Sequence, residues 1–173
     1  NQYLGFVINT VRTPVWQYLQ IHGLFIFVII VWLIIELKLM GWDWIKGVTN
    51  PVRPARLAIV ILGLALAGWG ISVGFATLTL LAFLFIIALS IVIRMGLGRT
   101  VTLEGETRDL HPAMFALILL MGGLMLSILV EVITVKGDIG RMNTVFKFYF
   151  QIWLLFGLAA AFGFWKIFFV GRK

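Results

Sequence analysis

Apolar residues run along this chain in long, nearly uninterrupted stretches, separated by short polar segments. A helix that crosses a bilayer needs about 20 apolar residues, and the pattern predicts an all-α, polytopic transmembrane helix bundle of about five spans. They cover about 14–40, 57–72, 74–93, 112–135 and 143–170. The first opens on Thr13-Pro14, an N-cap followed by a proline suited to the first helical position, and the fourth follows His111-Pro112 in the same way.

The second and third spans need separating, because no charge lies between Leu57 and Ile93. As one helix these 37 residues would reach ~55 Å at the α-helical rise, against a hydrocarbon core of ~30 Å. Gly70, Ser72 and Gly74 offer a tight turn. Loop charge points the same way. With two spans, ten Lys and Arg residues fall on one side (Lys38, Lys46, Arg53, Arg56, Arg94, Arg99, Arg108, Lys166, Arg172 and Lys173). Four fall on the other: Arg12, Lys136, Arg141 and Lys147. One long helix would give seven on each side. Natural topologies show a clear bias, with the richer side cytoplasmic. The expected arrangement therefore sits in the cell (plasma) membrane with a cytoplasmic C-terminus, and places the Asp138–Asn143 loop and the N-terminal segment outside.

Composition fixes the solvent. Of 173 residues, 62% are hydrophobic and 12% charged, where a soluble domain has roughly half and a quarter; mean hydropathy is +1.09. This excludes a soluble domain. The net charge of +7 does not suggest nucleic acid as a partner, because the cations lie in short loops beside apolar spans. Without cysteine there is no disulfide, thiol chemistry or thiolate-bound metal. The first apolar run is too long for a signal peptide. The chain reads as one domain. Trp42, Trp44, Ile45 and Lys46 suggest a short interfacial segment. Gly63/Ala67, Gly70/Gly74 and Gly157/Ala161 are pairs of small residues that permit close helix contact. The stretch from Arg94 to Pro112 is a polar, mixed-charge connector.

One stretch breaks the apolar pattern: residues 138–151, DIGRMNTVFKFYFQ. At 100° per residue, Asn143, Thr144, Lys147 and Gln151 share an arc of about 100° on the fifth span, and Gln151 lies ~12 Å along the axis from Asn143. The helix N-terminus adds unpaired N–H groups and the positive end of a dipole. Arg141 and Lys147 flank it, Gly137 and Gly140 permit close approach of a ligand, and Glu131 and Asp138 are the acids nearby. Two readings stand. In one, Asn143 caps the helix, Lys147 snorkels, and Glu131 and Asp138 neutralise Arg141 and Lys147. In the other, Arg141, Asn143, Lys147 and Gln151 bind an anion at the outer face, such as the phosphate of a membrane lipid, with Glu131 and Asp138 as supporting acids. His22, one turn from Tyr18, is either a satisfied interfacial histidine or a ligand or proton-relay residue. Two histidines far apart provide no metal-ligand spacing, and no catalytic triad, phosphate loop or spaced carboxylate pair is present. Glu36 is expected to pair with Lys38 or Arg56.

The run Gly140-Arg-Met-Asn-Thr-Val-Phe-Lys-Phe-Tyr-Phe-Gln-Ile-Trp153 resembles a motif of the bacterial and archaeal "YYY" polytopic membrane proteins. Arg12-Thr-Pro-Val-Trp-Gln-Tyr-Leu-Gln-Ile-His-Gly23 and Glu131 followed by Asp138 resemble that family as well. The family is distantly similar to membrane-embedded GT-C glycosyltransferases, which use polyprenyl-phosphate-linked sugars at the outer face. The resemblance implies roles for Asp138, Arg141, Asn143 and Lys147 at a lipid-phosphate or sugar site. The tyrosine triplet that gives the family its name is absent, and the chain looks like the C-terminal portion of a longer protein. The acid that is usually catalytic in such enzymes lies in the first outer loop, so no catalytic residue is assigned. No cofactor is identified; a divalent metal enters only with the enzyme reading. Against the enzyme stands an accessory subunit of a larger complex, whose partners are other membrane protein chains.

Overall fold

The structure is a computed structural model that describes residues 5–9, 11–39, 68, 70, 72, 74–96, 111–138 and 141–169. In chain order these form β1 (Phe6–Ile8), α1 (Val15–Leu39), α2 (Ala76–Gly96), α3 (His111–Val132), β2 (Ile133–Val135) and α4 (Met142–Phe169). All four helices are long and apolar enough to cross a membrane. Two are longer than a ~30 Å core requires: α4, with 28 residues, extends ~42 Å at the helical rise.

The expected spans at 14–40, 74–93, 112–135 and 143–170 correspond to α1, α2, α3 and α4. The one expected at 57–72 falls largely outside the described residues, as do the Trp42–Lys46 segment and most of the 94–112 connector. The turn before α2 is described. Gly74 adopts φ 81°, a conformation glycine takes without steric penalty, and the Phe75 N–H donates to the Gly70 carbonyl at 2.7 Å.

The helices form a ring. Helix α4 packs on α3 and α1, α2 packs on α3, and α1 meets α2 more lightly. Buried positions recur every three or four residues. They include Tyr18, His22, Ile26, Ile29, Trp32, Leu33 and Glu36 on α1, and Thr77, Leu81, Leu84, Ala88, Ile91 and Met95 on α2. On α4 they include Tyr149, Ile152, Phe156, Ala159, Gly163 and Lys166. That alternation is the seam spacing of left-handed helix packing. Large apolar residues such as Leu24, Phe27, Ile86, Phe115 and Leu158 cover the outer surface, as a bilayer solvent allows.

Two ends of the bundle are defined by contacts. The Thr77 hydroxyl donates to the Thr13 carbonyl, so α1 and α2 both start at the end where α3 finishes and α4 begins. That is the parity expected if a crossing precedes the Gly70–Gly74 turn. At the opposite end, Glu36 of α1 meets Lys166 of α4, and Trp32 Nε1 donates to the same carboxylate at 2.9 Å. Lys38, one of two cations expected beside Glu36, is exposed; Arg56 is outside the described residues.

The fourth span ends three residues earlier than expected. Ile133-Thr134-Val135 is a run of β-branched residues, which favour extended backbone. It pairs antiparallel with β1 in the register Phe6↔Val135, Val7↔Thr134, Ile8↔Ile133. This two-stranded ribbon ties the N-terminal segment to the α3–α4 connection.

Candidate functional site

At the start of α4 the chain must satisfy three sets of backbone groups at once: the last carbonyls of α3, the first amides of α4, and the segment that enters α1. Polar side chains do this. Arg141 Nη2 donates to the Val130 carbonyl at 2.9 Å and Nη1 to the Val11 carbonyl at 2.8 Å. Arg12 Nη1 donates to the Glu131 carbonyl, and its guanidinium lies 4.6 Å from the centroid of the Phe75 ring. Asn9 binds both the N–H and the carbonyl of Val11. Cations at the C-terminus of α3 also suit its dipole.

The Glu131 carboxylate, 1% exposed, is the hub. It accepts from Arg141 Nη2 at 3.1 Å, from the Thr13 N–H at 3.1 Å and from the Thr13 hydroxyl. The expected N-cap at Thr13 is therefore displaced. The Pro14 carbonyl accepts the first bonds of α1, from Gln17 and Tyr18 at 3.1 and 3.2 Å, while Thr13 turns to Glu131.

Arg141 is a left-handed residue, with φ 72°, a conformation that costs about 1–2 kcal/mol for a side-chain-bearing residue. It occupies the N-cap position of α4, since its carbonyl accepts from the Val145 N–H at 2.8 Å. This turn directs its side chain into the protein. The two amides that follow are capped from a distance by Asp138, which accepts from the Asn143 N–H at 3.0 Å and the Thr144 N–H at 2.7 Å, and from the Thr144 hydroxyl. The cap expected at Asn143 is thus supplied by Asp138. A carboxylate already occupies the amides that a ligand anion was expected to use.

The predicted residues separate into two groups. Arg141 and Glu131 join an internal network, Asp138 caps α4, and Arg141 is only 7% exposed with both Nη atoms engaged. It is not presented to an external anion, contrary to its expected direct role. Asn143, Lys147 and Gln151 are exposed on α4, bordered by exposed Phe146, Phe150, Trp153 and Leu154. Thr144, expected on the same stripe, is buried. His22 is fully buried on α1, 4.7 Å from Tyr18 and 5.1 Å from Tyr149 between ring centroids. Among the described residues no three His, Cys, Asp or Glu side chains gather to hold a metal.

Sequence reasoning missed Asn9, Thr77, Ser127 and Tyr149, all buried. The Ser127 hydroxyl donates to the Gly123 carbonyl at 2.9 Å, so the Tyr18 hydroxyl donates to Ser127 at 2.8 Å. One signal was legible: a polar residue inside an apolar span needs a partner. The partner's identity was not.

No curated protein and no solved structure matches this chain. The sequence profile of one family, described as "Uncharacterized membrane protein (DUF2298)", matches residues 1–156. A match that covers most of the sequence shows that the chain belongs to that membrane protein family, and its four apolar helices agree with the description.

Proposed function

We propose that this chain forms the outer-face wall of a membrane-embedded, glycosyltransferase-like enzyme acting on polyprenyl-phosphate-linked sugars. In this reading Lys147, Asn143 and Gln151 receive the lipid phosphate. Arg141, Glu131 and Asp138 act as positioning residues that fix the start of α4. The protein lies in the plasma membrane with the Glu131–Arg141 end outside and the C-terminus in the cytoplasm.

The carrying observation is the exposed ammonium and two amides on an otherwise apolar helix face. Hydrocarbon does not satisfy such groups. Lys147 is long enough to snorkel, but Gln151 lies ~12 Å along the axis from Asn143 and has a short neutral side chain. A phosphate at Lys147, with its isoprenoid tail along Phe146, Phe150 and Leu154, meets both needs. The resemblance of residues 140–153 to the YYY family supports the substrate class.

Lys147→Ala and Gln151→Ala are expected to weaken binding of a polyprenyl phosphate to the protein in nanodiscs by roughly tenfold each, the ~1.4 kcal/mol of one charge-assisted bond. Unchanged binding in both variants sinks the site. A second reading, a non-catalytic subunit, is favoured by the internal closure of Arg141 by Glu131. It predicts that the same variants lose a co-purifying membrane chain while lipid binding is untouched.

A further inference from the structure

We propose that His22 and Tyr149 line a buried water-binding site, entered from the Glu131–Arg141 end of the bundle. His22 is 0% exposed and Tyr149 8% exposed. Neither His22 ring nitrogen nor Arg141 Nε has a hydrogen-bond partner among the described residues. Three such atoms, from two residues on the neighbouring segments α1 and α4, are more than an apolar interior tolerates.

The surroundings say which guest fits. A neutral imidazole offers one donor and one acceptor, and a phenol the same. Water, which donates twice and accepts twice, complements both and bridges polar groups in protein interiors when two to four partners converge. The Tyr149 hydroxyl stands within hydrogen-bonding reach of the Thr13 side chain and in electrostatic range of Glu131 and Arg141, which connects the site to the polar network at that end. On the far side His22 abuts the Phe156 ring, 5.6 Å between centroids, with Ile26 and Ile29 beyond it on α1. The polar groups therefore lie on the side of the Glu131–Arg141 end, and apolar packing closes the other side. The site is independent of the lipid-phosphate reading, because the exposed stripe on α4 takes no part in it.

The test is water-edited solid-state NMR on the full chain in lipid bilayers, with uniform 15N labelling. There are two histidines, so His111→Gln leaves His22 as the sole ring reporter. If that variant misfolds, the wild-type signal that disappears in His22→Phe makes the same assignment. Magnetisation is expected to pass from water to the His22 ring as fast as it does to the exposed Lys136 amide, and Tyr149→Phe is expected to lose that fast transfer. Transfer as slow as that to the Ile26 and Ile29 amides overturns the proposal. Fast transfer that survives Tyr149→Phe overturns the shared site.

Discussion

Arg141 combines three properties that seldom meet in one residue: a left-handed backbone, a buried guanidinium and a carboxylate partner that is itself buried. Each explains the next. The positive φ turns the side chain inward, where it binds the Val11 and Val130 carbonyls as well as Glu131. Those bonds offset the backbone cost. Removing one member of a buried pair strands the other charge, which typically destabilises by about 3–5 kcal/mol. Arg141→Ala is expected to lose that much in reversible unfolding in detergent micelles, and Arg141→Met combined with Glu131→Leu to recover part of it. A single variant as stable as the wild type would show that the pair does not hold this end of the bundle together. The sequence placed an acid and an arginine near each other, and that much was legible. Their burial was not, because it follows from a backbone turn that residue type does not encode.

At the scale of the helix, close packing between neighbouring helices lies where glycine faces an aromatic ring. A Cβ on Gly123 would stand 2.7 Å from the Phe156 ring, and one on Gly163 3.0 Å from Trp32. Of the small-residue pairs read from the sequence, Gly70/Gly74 and Gly157/Ala161 fall wholly within the described residues. A Cβ on Gly70 would press on the Thr79 side chain beside the turn, whereas Gly157 makes ordinary contact with Phe25 at 3.8 Å and Ala161 is exposed. Spacing alone did not find the glycine–ring contacts, since these helices are apolar on every face and periodicity does not reveal the inner one. Adjacent glycines provide the test. Gly123→Ala is expected to cost about 1–3 kcal/mol through overpacking. Gly122→Ala, whose Cβ meets only Leu155 at 3.8 Å, is expected to be neutral or slightly stabilising through helix propensity. Equal effects in an unfolding assay would mean that α3 presents a different face to α4.

For the molecule as a whole, the arrangement of ends is the quantity to measure. Lys136 and Lys38 are exposed near opposite ends of the bundle. The absence of cysteine makes single-cysteine labelling direct. With a membrane-impermeant maleimide on intact right-side-out vesicles, Lys136→Cys is expected to react, and Lys38→Cys to react only after permeabilisation. Labelling of both from one side would contradict the arrangement set by the Thr13–Glu131 contact, which puts the start of α1 beside the end of α3. The chain by itself determined that it is a membrane bundle, where the four described helices lie and where the glycine turn before α2 falls, because the length and hydropathy of each segment are local properties. It also marked residues 138–151 as anomalous, since charge in an apolar span is visible residue by residue. Only the tertiary structure decided that Glu131 takes Arg141, that Glu36 takes Lys166, that Asp138 caps α4, and that Ile133–Val135 leaves the helix to pair with Phe6–Ile8. Those choices join residues far apart in the chain, and apolar sequence leaves every helix face equally eligible until the neighbours arrive.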